Sequence, residues 1–144
     1  MARSLLDLAD SFDKKAEQIE TAVSKLAVEI AVTIVTDLAY KTPVDTTNAI
    51  SNWQVTLSTP AHTEIDPHFP GFNGYTYSQS AAMTVTLAKA VLEQKKPGQV
   101  IWIANNADYI QNLNNGSSRQ EPAGFVERAV LLGRKKASEF KLKV

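Results

Sequence analysis

Four residues with chemistry in them recur at every second position: His62, Glu64, Asp66 and His68. On an extended segment that period puts all four side chains on one side. Two imidazoles and two carboxylates are ligand types that suit zinc or another divalent cation, and a small metal-dependent enzyme built on them is one reading of the chain. Two points weigh against it. All four ligands come from one local loop, a poor basis for a structural site, and no catalytic partner lies nearby in sequence. The chain has 2 His and no Cys, which excludes disulfides and thiolate sites and fits a reducing cytosol. Asp45, between threonines in Thr42–Trp53, reads as a turn-former and helix cap rather than a general base. No nucleophile stands beside a base, so the expectation is a protein without catalytic residues, metal or cofactor, and not an enzyme.

The elements that would position these residues are legible around them. Pro60–Tyr77 contains three prolines, two glycines and both histidines, a density of breakers that predicts an extended loop over 60–77. Long irregular loops in small domains tend to be functional, and Phe69, Phe72 and Tyr75 would anchor this one or touch a neighbour. Before it, Trp53, Val55 and Leu57 alternate with polar residues, predicting a strand with one face inward. After it, Ser78–Lys96 predicts a helix capped by Ser78 or Ser80 and ending at Lys95-Lys96 before Pro97-Gly98. Met83, Val85 and Leu87 also alternate, which leaves strand open for its first half.

Between Ser4 and Lys41 there is neither Gly nor Pro. Leu5, Ala9, Phe12, Ala16, Ile19, Val23, Leu26 and Ile30 follow at steps of four and three, a heptad-like seam. Beyond Leu26 the apolar face widens, which predicts deeper burial there. Pro43 disfavours helix at Thr42 and sets the stop. A helix of this length spans about 55 Å at ~1.5 Å per residue, whereas a domain of this size is only about 40 Å across. Either the helix breaks, or its first half projects and lays its seam on another chain. In the second case, removing Leu5–Ile30 leaves a folded monomer.

Val100–Ile103 is a continuous apolar run, expected for a strand covered on both faces; pairing it with the Trp53 strand would bring both tryptophans into one core. Tyr109, Ile110 and Leu113 then sit at helical spacing, Gly116 suits a left-handed helix stop, and Ser117–Glu121 is polar. Pro122 and Gly124 set the entry of a final helix whose inward stripe is Phe125, Val126, Ala129, Val130 and Leu132. From Arg128 onward six cations, among them Arg134, Lys135, Lys136, Lys141 and Lys143, face Glu139 alone, a net +5. That run is either a solvated helix end favoured by the helix dipole or a patch facing DNA or a partner.

Length and composition bound the rest. With 144 residues, 44% hydrophobic and 21% charged, the chain fits one domain over 1–144 that buries about two thirds of its extended surface. A formal charge of zero supplies no global field for nucleic acid. The acidic first turns predict no signal peptide, and no run of ~18 apolar residues predicts a membrane span. The fold class expected is α+β: a long N-terminal helix over 1–42, a small antiparallel sheet, and a middle and a C-terminal helix packed on it.

Two strings carry a resemblance. The first runs Ile103-Ala104-Asn105-Asn106, Tyr109-Ile110, Leu113, Gly116-Ser117-Ser118, Gln120, Pro122, Gly124-Phe125-Val126. The second is Thr42-Pro43-Val44-Asp45-Thr46 followed by Asn52-Trp53. Together, and in this order after a long helix, they resemble the neck or tail-completion proteins of tailed phages, also described as minor tail components. Thr47 stands where that family usually has Gly, and Asn114 where it has Glu. The 62–75 loop has no fixed counterpart. The resemblance implies a structural virion protein made in the host cytoplasm, acting without chemistry as a homo-oligomeric ring at the head–tail junction. A hexamer is favoured, with a dodecamer the portal-proximal alternative. Its partners would be head-closure or connector proteins and tail terminator or tail tube proteins, with non-specific contact to packaged DNA and none to membrane. Head-closure protein and tail terminator are the nearest alternative roles, and a helical interaction module such as a regulatory dimer is a more distant one. On this reading the interface residues are Leu5, Phe12, Ile19 and Val23 on the first helix. Asn105, Asn106, Tyr109, Asn114, Gly116, Ser117, Ser118, Arg119 and Gln120 join them from the central stretch, with Arg134, Lys135, Lys136, Lys141 and Lys143 as the basic patch.

Overall fold

The computed structural model describes residues 4–43, 47–71, 75–118 and 120–143. Helix α1, Leu5–Lys41, runs without a break. Ser4 and Asp7 close a capping box at its start, each side chain accepting from the other's backbone N–H, which satisfies two of the orphan donors of the first turn. At the other end the Thr42 hydroxyl donates to the Leu38 carbonyl and accepts from the Trp53 indole N–H at 2.7 Å. The stop that Pro43 imposes is thereby tied to the first strand.

Strands β1 (Trp53–Leu57) and β2 (Ile101–Asn105) form a two-stranded antiparallel sheet. In its register Val55 lies opposite Ile103 and Thr56 opposite Trp102. Trp53, Val55 and Leu57 therefore share a face with Ile101 and Ile103, and these pack with Val35 and Leu38 of α1. Trp102 falls on the other face, 41% exposed, its indole donating to the Ser58 carbonyl. The expectations of a fully covered second strand and of two tryptophans in one core are both corrected. Period two decides the matter, because facing residues alternate and Trp102 is out of phase with Trp53.

Between α1 and β1 lies α2, Asn48–Ser51, a single turn inside what reads as loop. Thr47 precedes it at φ 65°, the left-handed region that a β-branched residue rarely adopts. Its hydroxyl donates to the Phe69 carbonyl, which holds the turn. Helix α3, Tyr77–Leu92, is helical throughout. Thr76 occupies its cap position, so neither Ser78 nor Ser80 does. Ser80 is buried inside the helix, and the helix stops short of Lys95-Lys96. After β2 come the short α4, Ile110–Asn114, and α5, Phe125–Ser138.

Helix α5 runs antiparallel to α1. A Cβ on Gly133 would lie 2.5 Å from Ile34 Cδ1 and 2.7 Å from Ile34 Cγ1, so the two helices touch where α5 has no side chain. Phe125, Ala129 and Gly133 form the buried stripe. Leu132 and Val130, expected inward, are half-exposed, because a three-residue stripe at steps of four leaves both off its centre. Phe125 and Val35 are completely buried, each contributing roughly 1.5–3 kcal/mol by removal from water. An α+β fold with a long first helix is the result, with α1 as the element on which α3, α5 and the sheet converge.

Gly133→Leu forces a branched side chain against Ile34 and Ile30. Overpacking of this kind costs about 1–3 kcal/mol, so the urea midpoint should fall with an unchanged slope; an unchanged midpoint would refute close α1–α5 contact at this position.

Candidate functional site

The alternating loop residues do not assemble into a site. Glu64 accepts from Asn48 Nδ2 at 2.6 Å, the backbone N–H of His68 donates to the Ser51 hydroxyl, and His62, Glu64 and Asp66 are exposed. Among the described residues no three His, Cys, Asp or Glu side chains come together as metal ligands. What organises the loop is Asn52, which the sequence placed in a motif without a role. Buried Asn52 accepts from the Ile65 N–H at 2.8 Å and donates back to the Ile65 carbonyl at 3.0 Å, imitating a strand pair with one side chain. Gln54 donates to the Thr63 carbonyl, and Asn106 to the carbonyls of Ala61 and Thr63. The loop is thus sewn by amides to α2 and to the sheet. Of its aromatics, Tyr75 is exposed and Phe69 partly so; Phe72 lies outside the described residues, as does Asp45.

His68 borders a cleft of about 180 Å³ with Ile65, Trp53, Val55, Leu87 and Val91. Burial holds its pKa below the usual histidine value, opposed by hydrogen bonding to the Ser51 backbone. The cleft offers apolar walls and a neutral imidazole, without a second titrating group beside it.

The central stretch is closed at its base. Asn105 donates to the Ala49 carbonyl at 2.7 Å and accepts from the Ala107 N–H. Asn114 is the clasp of the following loop. Its Nδ2 donates to the Glu127 carboxylate, its Oδ1 accepts from the Val126 N–H, and its carbonyl accepts from the Gly124 N–H at 2.8 Å. Gly116 at φ 94° and Gly124 at φ 85° make the two bends in left-handed conformations that favour glycine. Arg128 reaches the Ala123 and Pro122 carbonyls and pairs with Glu121 at 2.6 Å. Asn105, Asn106 and Asn114, all half-buried, thus use their amides inside the chain. Tyr109, Ser117 and Gln120 are exposed and Ser118 half-buried, with the Ser118 hydroxyl accepting from the Gln120 N–H; Arg119 lies outside the described residues. Asp37 of α1 lies within electrostatic reach of Glu121 and Arg128, and its pKa is raised, chiefly by burial.

A row of exposed apolar side chains runs along α1. Leu5 is 85% exposed, Phe12 61% and Val23 51%, with Leu8 and Ile19 also open. Every residue from Ser4 to Glu20 except Ser11 is exposed. The same seam is covered at Ile30 by α5 and then runs on past the end of that helix. Soluble monomers rarely leave a contiguous apolar stripe of this kind open.

The chain matches no protein-family model, no curated protein and no solved structure.

Two outcomes follow. Asn52→Ala leaves the part-buried N–H and carbonyl of Ile65 without their amide partner, each worth about 1 kcal/mol, so stability should drop by about 2 kcal/mol and proteases should cut within 58–70; resistance equal to the parent would contradict the clasp. A lowered pKa means that the folded state favours neutral His68. Stability from this group is therefore complete above the unfolded value near 6.5 and is lost as pH falls below it. His68→Gln should flatten the melting-temperature decline between pH 7 and pH 5, and parallel declines in the two proteins would reject the assignment.

Proposed function

We propose that this chain is a structural virion protein of a tailed phage, forming a homo-oligomeric ring at the head–tail junction as a neck or tail-completion protein. The carrying observation is the uninterrupted α1, whose first half leaves an apolar seam open to solvent. A ring supplies the missing cover, because each copy offers its seam to the next. The resemblance of the Asn105–Val126 string to that family is consistent with the geometry. Its asparagines and glycines are the residues that clasp and bend the loop, and a structural family would keep such residues without any chemistry.

In this reading the ring is a hexamer, with a dodecamer as the portal-proximal alternative. It meets head-closure or connector proteins on one side and tail terminator or tube proteins on the other. Head closure and tail termination are the nearest alternatives, since they demand the same size and ring assembly. The reading involves no catalysis, metal or cofactor.

Electron microscopy of purified particles carrying a labelled copy of this chain tests the proposal. Label at the head–tail junction is expected; label elsewhere, or none on particles, would overturn it. A truncation helps only if cut correctly. Val28 packs against the core and Ile30 against Gly133, so removal of Leu5–Ile30 would damage the fold. Removing residues 4–16 instead spares both contacts and should leave a folded chain that no longer assembles, as read by circular dichroism and light scattering.

A further inference from the structure

Two surfaces of the chain are open, apolar and opposite in charge. The first is the uncovered part of α1. Between Ser4 and Glu20 it carries Asp7, Asp10, Asp13, Glu17 and Glu20 against Lys14 and Lys15, a net −3, around exposed Leu5, Leu8, Phe12 and Ile19. The second is the outer face of α5 and the segment after it. With Arg128 engaged by Glu121, Arg134, Lys135, Lys136, Lys141 and Lys143 remain against Glu139, a net +4. Among them Leu131 is 57% exposed, and Leu132, Phe140 and Leu142 are open as well. Apart from the Asp7 carboxylate, which accepts from the Ser4 N–H in the capping box, none of these charged groups forms a hydrogen bond or an ion pair among the described residues.

Within one chain the two surfaces meet only at their near ends, where Lys143 and Glu17 border one depression. Helix α5 is antiparallel to α1, and its own buried stripe already faces Ile30 and Ile34. The segment beyond it brings Lys143 only as far as a depression bordered by Glu17, Thr21 and Lys25. The acidic seam from Leu5 to Ala16 lies past that point. Two seams laid side by side would bring −3 against −3, which costs association free energy where like charges meet.

We infer that the acidic seam of α1 docks on the basic outer face of α5 of a second copy, head to tail. Such a contact is heterologous: each copy donates one surface and accepts on the other. It therefore propagates from copy to copy, and gives a ring where the rotation between copies closes. The apolar residues supply contact area and the charges supply register and direction. This assigns the basic patch to a neighbouring copy and not to DNA. It rests on the reading of the chain as self-assembling, but not on its place in a particle.

Three variants of the full chain, followed by sedimentation and circular dichroism, test the contact. D10K/D13K/E17K and R134E/K135E/K136E each change only exposed residues. Each should fold as the parent does and weaken self-association at least tenfold. A chain carrying both sets should recover it, because the charges are then exchanged. The parent's dissociation constant should also rise roughly tenfold or more between about 0.05 and 0.5 M salt. Carbodiimide coupling of mixed isotope-labelled and unlabelled parent protein is independent of the variants. It should join Asp or Glu of residues 7–20 to Lys135, Lys136, Lys141 or Lys143 between chains. Loss of assembly on reversing α1 but not α5 would overturn the proposal in favour of paired α1 helices. A parent that stays monomeric, or a double set that fails to recover, would overturn it too. Failure here with label still at the head–tail junction leaves the location standing and removes only the contact.

Discussion

One helix longer than the domain that surrounds it constrains everything else in this structure. From Val28 to Leu38, α1 is the wall against which the sheet, α3 and α5 pack. A helix can serve as such a wall because its hydrogen bonds are internal, leaving side chains free to form the core. The same internal bonding lets it continue past its support without unravelling, helped by the capping box at Ser4 and Asp7. Its apolar seam does not end where the support ends. The covered half of α1 explains the fold, and the uncovered half leaves an apolar seam open to solvent.

Side-chain amides hold the irregular parts. A sheet of two strands pairs few backbone groups, so the long connections must be satisfied by other means. Asn52, Asn105, Asn106 and Asn114 do this, each bonding to backbone of a segment distant in sequence. No described buried side-chain nitrogen or oxygen lacks a hydrogen-bond partner. Asparagine suits the task because one short group both donates and accepts. The cost is that residues which look ready for an external partner are already committed. What stays exposed on α1 and α5 is apolar and charged side chains, the surface the proposed assembly would use.

Much of this was legible in the sequence. The seam spacing and the absence of Gly and Pro gave α1 its full length, Pro43 its stop, and period two placed β1. Gly116 and Gly124 marked the two bends. What escaped has physical reasons. Trp102 sits in a run that is apolar on both sides, so alternation could not reveal its phase; only the register with β1 does. Leu132 and Val130 look inward until Gly133 shows that α5 approaches α1 where it is smallest. The α2 turn depends on Thr47 in a left-handed conformation, for which a β-branched residue gives no warning. Asn52 was invisible as a clasp because its partner, Ile65, is a backbone group thirteen residues away.

The proposed assembly rests on the uncovered apolar seam of α1. The most direct test is the solution mass of the full chain against Phe12→Asp, a change at an exposed position that leaves the core untouched. Measured by light scattering at matched concentration, the parent should form a closed oligomer larger than a dimer, and the variant should be a folded monomer. A parent that is monomeric at every concentration, or a variant that assembles as the parent does, would contradict the account.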